Sequence, residues 1–221
     1  MIYETEKMKK DISQMRTQYQ SPPLLKKHIS ENPIVEFSKW FERICADKKI
    51  KEPNAMILST IGLDGYPRNR IVLLKFYGPQ GFGFYTNYQS DKAQSILKNP
   101  HVGLGFYWPH RHQQVLIKGK AKKIDDATSQ QYFESRPKGS QMAALLSHQS
   151  SIIPSRSFLE KGFEQLKKQF THQSISKPTS WGGYQVNPVE YEFWQGQKNR
   201  LHDRLRYSNK SGNWKIERLA P

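Results

Sequence analysis

The sequence predicts a mainly β protein with peripheral helices, its antiparallel strands curling into a barrel. Three observations predict it. Apolar and β-branched runs follow one another through short turn signals in the middle of the chain; amphipathic helical spacing is confined to segments around them; and 221 residues suit one core.

Taken in order, Met8, Ile12, Met15 and Tyr19 recur at helical spacing, so residues 1–20 are expected to form a mobile arm carrying a short amphipathic helix. A single domain is expected over 21–221. In "NPIVEFSKWFERICADKK", Asn32 is an N-cap and Pro33 the first helical residue, with Phe37, Trp40, Phe41 and Ile44 on one apolar face. "AMILST" and "RNRIVLLKFY" read as strands joined across the Asp64-Gly65 turn, and "GPQG" leads into a third, "FGFYTN". "VGLGFYW" and "QQVLIKGKAKKI" bracket "PHRH" as a further pair, so the strands read as a meander.

Helices interrupt and follow these strands. "SDKAQSILKN" opens at Ser90, "DDATSQQYFES" stops before Pro137, and "SQMAALLS" begins at Ser140. "SFLEKGFEQLKKQF" carries the capping-box spacing Ser157-x-x-Glu160 and an apolar face of Leu159, Phe163, Leu166 and Phe170. The tail reads as a hairpin of "RLHDRLRY" and "WKIERLAP". If the first of these is a strand throughout, Arg200, His202, Arg204 and Arg206 line one side, where either water screens them or an anion sits among them.

Composition narrows the partners. With 35 Lys plus Arg against 19 Asp plus Glu, the formal net charge is +16, which favours anionic ligands without choosing among nucleic acid, acidic membrane and phosphorylated small molecules. Cys45 is the sole cysteine, which excludes an intrachain disulfide and suggests a reducing, cytoplasmic setting. No signal-peptide or membrane-span pattern stands out, so a soluble protein is expected.

Phosphate devices built on glycine are missing: "GFGFYT" lacks the third glycine of a dinucleotide fingerprint, and no P-loop occurs. Any phosphate must then be held by side chains and helix ends. Tyr132, Arg136 and Ser140 form one candidate cluster, although spacing alone favours a surface charge and a helix cap. Arg70 and Lys75 fall on opposite faces of an ideal strand unless a bulge brings them together. Lys118, Lys120 and Lys122 alternate on one strand face, which reads as a solvated surface and secondarily as a nucleic-acid contact. His110 and His112 lack the further spaced ligands of a metal site, and none is expected. For His202, flanked by Arg200 and Arg204, a neutral imidazole is the cheaper form until an anion arrives.

"RIVLLK", "FYTN", "YFESRPKGSQ", "SHQSS", "WGGY" and above all "EFWQGQKNRLHDRLRY" followed by "WKIERLAP" resemble the pyridoxamine 5′-phosphate oxidase family, in unbroken order from about Arg16 to Pro221. The resemblance implies a homodimer of antiparallel split β-barrels with FMN at the subunit interface. It implies oxidation of pyridoxamine 5′-phosphate and pyridoxine 5′-phosphate to pyridoxal 5′-phosphate, with dioxygen reduced to hydrogen peroxide and no role for nucleic acid or membrane. Carried over by position, FMN is to meet Arg70, Ile71, Val72, Leu73, Leu74 and Lys75, then Tyr85, Thr86, Lys92, Gln114, Gln149, Ser150, Trp194 and Arg204. The substrate phosphate is to meet Lys75, Tyr132, Arg136 and Ser140. Arg200 and His202 are the implied catalytic pair, holding the pyridine ring over the flavin, and Arg16 and Tyr19 are to close over it. The homodimer follows from this resemblance, since no apolar stripe in the sequence demands a second copy.

Two positions depart from the family pattern. Asp91 precedes Lys92 where the family commonly has arginine, which should weaken phosphate binding unless the carboxylate points away. Glu52 stands where the family has a shorter acid near the site. Two rivals remain distinguishable: a split-barrel flavin oxidase of another substrate, such as a phenazine precursor, would make poor use of Tyr132, Arg136 and Ser140, and a basic nucleic-acid-binding protein would show no flavin at all.

Overall fold

In the computed structural model, which describes residues 10–221, the Asp64-Gly65 turn folds β1 (Ala55–Ile61) onto β2 (Pro67–Leu73), with Ile57 opposite Ile71 and Leu58 opposite Arg70. The chain then changes partners. Leu74 N–H still bonds Asn54 O beside β1, whereas Lys75 N–H bonds Gly83 O, across the short hairpin of β3 (Phe76–Gly78) and β4 (Gly81–Asn87). "RNRIVLLKFY" is therefore two strands, broken where the chain crosses from one sheet edge to the other.

The remaining strands are β5 (His101–Trp108), β6 (Gln113–Lys123), β7 (Trp181–Gln195), β8 (Asp203–Lys210) and β9 (Asn213–Leu219). All pair antiparallel, in the order β2-β1-β5-β6-β7-β4-β3, with β8 and β9 continuing from β7. The expected simple meander is corrected here, because β4 pairs with β7 and not with its sequence neighbour β5. The length of β7 explains this: Trp181–Val186 take β4 on one edge, Glu190–Gln195 take β8 farther along, and β6 runs along the other edge throughout. One strand shared in this way curls the sheet.

The helix α1 (Pro33–Cys45) fills the curl. Asn32 accepts the Ile34 N–H, Pro33 occupies the first turn, and Phe37, Trp40 and Ile44 are buried against Phe82, Phe106 and Phe193. Glu36, buried on the same helix, accepts from Trp40 Nε1–H at 2.9 Å and from Ser30 N–H at 3.0 Å. A second, smaller core of Phe133, Met142, Ile175 and Trp181 joins α3 (Asp126–Ser135), α4 (Lys138–Leu146) and α5 (Arg156–Gln169) to the start of β7.

Several local expectations are corrected. Among residues 10–20 there is only a turn, Met15 N–H to Ile12 O, because Tyr19 is drawn onto the body of the protein and the segment has no apolar face left to pack as a helix; Met8 lies outside the described residues. α4 starts at Lys138, so the Ser140 N–H is already bonded to Pro137 O and Ser140 is no cap. The cap of α5 is Ser155, accepting from Phe158 N–H, while Glu160 pairs with Arg156 in place of closing a box with Ser157. Ser90 sits at the N-cap of α2 (Asp91–Lys98) but its hydroxyl donates to Asn87 O. β8 begins at Asp203, so Arg200 and His202 belong to the turn before it and not to a continuous cationic strand.

Candidate active site

Two groups of expected site residues emerge at opposite ends of β7. The first surrounds a cavity of about 620 Å³, lined by Lys75 at the strand crossover, Tyr85 and Thr86 of β4, Lys92 of α2, Tyr132, Arg136, Ser140 and Gln149. Ile71, Val72 and Leu73 complete the wall, whereas Leu74 points into the core. Trp181 also lines it. Nothing in the sequence singled out Trp181 beyond its place in "WGGY".

Lys92 is the electrostatic focus of this cavity. It is buried, and among the described residues Nζ has only neutral oxygens within hydrogen-bond range: Thr86 Oγ1 at 3.3 Å, Ser90 Oγ at 3.2 Å and Gln149 Oε1 at 3.2 Å. Burial pushes its pKa down to about 8, nearby Arg70 adds to the effect and Asp91 opposes it. Arg70 is tied to Leu58 O and Thr60 Oγ1, and burial, then Arg68, holds its pKa below the usual arginine value. Ser150 adopts φ 75° and its hydroxyl accepts the Asp91 N–H.

Across the cavity, the Arg136 guanidinium lies 4.7 Å from the Trp181 ring centroid, and its buried Nη1 has no hydrogen-bond partner among the described residues. Tyr132 stacks on Tyr85 at 4.0 Å, and Tyr85 on Trp181 at 5.3 Å. Gly183 makes this stack possible, since a Cβ there would fall 2.9 Å from the Tyr85 ring. A buried ammonium among neutral acceptors and an orphaned guanidinium nitrogen are groups that an anion satisfies. Two such groups on two walls fit a phosphate-bearing cofactor together with a phosphate-bearing substrate.

The second group surrounds a cavity of about 360 Å³ lined by Arg16, Tyr19, Trp194, Arg200 and His202. Asn199 and Arg200 both lie in the left-handed region, at φ 56° and 62°, a tight turn that ends β7 and re-aims the chain before β8. His202 packs 4.7 Å from Trp194 and 5.6 Å from Tyr19, and Tyr19 also lies against His112. Gly196 leaves room for Tyr19, whose ring a Cβ would approach at 2.8 Å. The backbone N–H of Gln197 donates to His202 Nδ1 at 3.0 Å, so the neutral ring carries its proton on Nε2. Burial, then Arg200, holds the His202 pKa below its ordinary value.

The two groups do not meet within one chain. Tyr85 pairs with Gly183 near the start of β7 and Trp194 lies eleven residues farther along that strand, roughly 35 Å at ~3.3 Å per residue. Gln114 and Arg204 flank Trp194 on β6 and β8 and so belong to the far end. The sequence expectation that Arg204 and Arg206 await an outside anion is corrected: Arg204 donates to both carboxylate oxygens of Glu192, at 2.8 and 3.1 Å, and Arg206 pairs with Glu217 at 3.0 Å. Carboxylates on the neighbouring strands supply the missing charge. Of the two departures, Asp91 reaches toward Arg68, 3.6 Å away, while the exposed Glu52 lines neither cavity. Among the described residues no group of three metal-ligating side chains occurs and no helix is long and apolar enough to cross a membrane.

Residues 46–170 match the family model described as pyridoxamine 5′-phosphate oxidase, and residues 181–221 match that of the pyridoxine 5′-phosphate oxidase C-terminal dimerisation region. The chain is 48% identical over 211 residues to a pyridoxine/pyridoxamine 5′-phosphate oxidase of Flavobacterium johnsoniae, covering 95% of this chain and 99% of the relative. It is 47% identical over 218 residues to the chloroplastic enzyme of Arabidopsis thaliana, covering 96% of this chain and 41% of that longer protein. Among solved structures, PhzG of Burkholderia lata, crystallised with tetrahydrophenazine-1-carboxylic acid, superposes with a TM-score of 0.84 at 25% identity over 91% of this chain and 99% of that one. With these matches over a split β-barrel, the chain belongs to the pyridoxamine 5′-phosphate oxidase family.

Proposed function

We propose that the protein is an FMN-dependent oxidase that converts pyridoxamine 5′-phosphate and pyridoxine 5′-phosphate to pyridoxal 5′-phosphate, acting as a homodimer with each site built from both chains. The observation that carries this reading is the separation of the two half-sites along β7, each holding part of the residue set that the family brings together. A second observation supports the dimer. Ile71, Ile57 and Leu116 form a row across β2, β1 and β6, with Gly105 of β5 between the last two and Tyr107 beside it; all four side chains are exposed in the single chain. An uncovered apolar row on a sheet face is what a second copy buries.

In this reading Lys92, assisted by Arg70, Thr86, Gln149 and Ser150, takes the FMN phosphate, and Lys75, Tyr132, Arg136 and Ser140 take the substrate phosphate. Arg136 is prepared for this by its Trp181 stack, which fixes the guanidinium plane while leaving Nη1 free to donate. The partner copy contributes its far end of β7. There Arg200 sets the pyridine ring against the flavin, and the His202 Nε2–H donates to a ring substituent, since Nδ1 is already committed to Gln197. Arg16 and Tyr19 close over the ring and exclude water. FMN, when bound, supplies the hydride acceptor and passes the electrons to dioxygen, so the chain's own task is binding, orientation and charge. The greater likeness to B6-phosphate oxidases, at 47–48% identity against 25% for PhzG, favours these substrates over a phenazine precursor.

The test is the visible absorbance of the FMN-loaded protein mixed anaerobically with pyridoxine 5′-phosphate. Bleaching of the flavin band is expected. A band that stays oxidised refutes the substrate assignment.

A further inference from the structure

An acid stands beside the Lys92 pocket, where a phosphate site has no use for one. Asp91, the first residue of α2, sits directly before Lys92, and its side chain is exposed while that of Lys92 is buried. The carboxylate has a partner: its Oδ2 lies 3.6 Å from Arg68 Nη1, on β2. Arg68 is in turn fastened by Asp64, from the β1–β2 turn, at 2.6 Å through Nη2. Arg68 and Arg70 are two residues apart on one strand and project from the same face. Arg70 feels the charge of Arg68, and Lys92 feels that of Arg70. Asp64, Arg68 and Asp91 thus form a linked group outside the cavity that Lys92 lines.

We infer that Arg68 is a positioning residue for phosphate binding: by pairing with Asp91 it draws that carboxylate to the exposed side of α2 and offsets its charge. Asp64 holds Arg68 in place for this, and the group of Asp64, Arg68 and Asp91 carries one net negative charge in place of the two that the carboxylates alone would carry. The inference rests on the reading that Lys92 and Arg70 take the FMN phosphate. Its chemistry is general: an unpaired carboxylate near a phosphate dianion repels it, and a paired one does so far less.

The experiment is titration of apoprotein with FMN, followed by quenching of flavin fluorescence, with riboflavin as the ligand that lacks the phosphate. Arg68→Ala is expected to raise the FMN Kd about tenfold, as an extra unit charge does at a separation on the order of 8 Å in surface-like surroundings. Riboflavin affinity stays unchanged, and the loss shrinks as salt is added. Arg68→Ala combined with Asp91→Asn is expected to return the FMN Kd to within about twofold of the parent, since Asp64 alone then carries the same net charge as the parent group of Asp64, Arg68 and Asp91. An Arg68→Ala variant that binds FMN as well as the parent overturns the inference, as does a double variant as weak as the single one. Lys92→Met separates this from the reading beneath it. If Lys92→Met loses FMN but not riboflavin while Arg68→Ala changes nothing, the inference alone fails; if Lys92→Met leaves FMN affinity intact, the phosphate placement fails and takes the inference with it.

Discussion

With Lys92 at the FMN phosphate, as proposed, flavin binding should depend on pH. In the protein without ligand its pKa stands at about 8, pushed down from 10.5 chiefly by burial. A folded-state value below the unfolded one means that the cost of carrying a buried charge is present at low pH and is relieved as pH rises through the folded value. A phosphate dianion at Nζ reverses this, because it stabilises the ammonium. Binding near pH 9 must therefore recruit a proton to an amine that is about nine-tenths neutral, whereas near pH 7 the amine is already about nine-tenths charged. If the bound phosphate returns the pKa to its ordinary value, linkage gives about a tenfold rise in the FMN Kd between those two pH values. Fluorescence titration across that range, with riboflavin as the control for any titration of the ring itself, measures it directly. Lys92→Arg keeps a charge throughout and should flatten the curve. A parent protein whose FMN Kd is constant from about pH 7 to pH 9, or whose riboflavin affinity falls in step, refutes the reasoning.

Other outcomes follow from the same geometry. Arg136→Ala should raise the KM for pyridoxine 5′-phosphate about ten- to a hundredfold with FMN still bound, the loss of a charge-assisted bond worth about 1.5–3 kcal/mol; steady-state kinetics that leave KM unchanged would remove Arg136 from the phosphate site. Arg200→Ala should lower kcat/KM without releasing flavin, and unaltered kinetics would take Arg200 out of the reaction. Leu116→Asp, in the exposed row of the sheet, should shift sedimentation toward the monomer and release FMN; a dimer that persists would place the interface elsewhere. Trp40→Ala should destabilise the protein by about 3–5 kcal/mol in urea unfolding, because it empties a fully buried site and strands Glu36, whose Oε1 it satisfies.

Much of this architecture was legible because local chemistry and tertiary demand agree. Asn32-Pro33 and the Phe37, Trp40 and Ile44 spacing dictate α1, and the β-branched runs and the Asp64-Gly65 turn dictate the β1–β2 hairpin. What periodicity cannot carry is partner choice. "RNRIVLLKFY" carries an unbroken apolar run from Ile71 to Leu74, and nothing local announces that Leu74 and Lys75 bond different strands. Likewise "RLHDRLRY" alternates at every position but Asp203, yet Asn199 and Arg200 adopt left-handed backbone and delay the strand to Asp203. The carboxylates that neutralise Arg204 and Arg206 come from β7 and β9, so only the register reveals that the row needs no outside anion. The apolar row was invisible for the same reason: Ile71, Ile57 and Leu116 are scattered in sequence and become neighbours only through three strand pairings.

The division of the site between the ends of β7 makes one prediction that a monomeric enzyme cannot imitate. Arg136 lies at the near end and Arg200 at the far end, so in a dimer with sites built from both chains each active site draws Arg136 from one copy and Arg200 from the other. Arg136→Ala and Arg200→Ala homodimers each lack one group at both sites and should both be poor enzymes. When the two variants are mixed and allowed to exchange, about half of the dimers contain one chain of each kind. In such a dimer both lesions fall on the same site and the other site is intact, so activity at saturating substrate should climb to about a quarter of the parent's. Were both groups supplied by a single chain, every site in the mixture would still carry a lesion and no activity would return. Recovery on mixing thus bears on the trans arrangement itself, and its absence, with exchange verified by mass, would show that Arg136 and Arg200 serve one chain's site despite the length of strand between them.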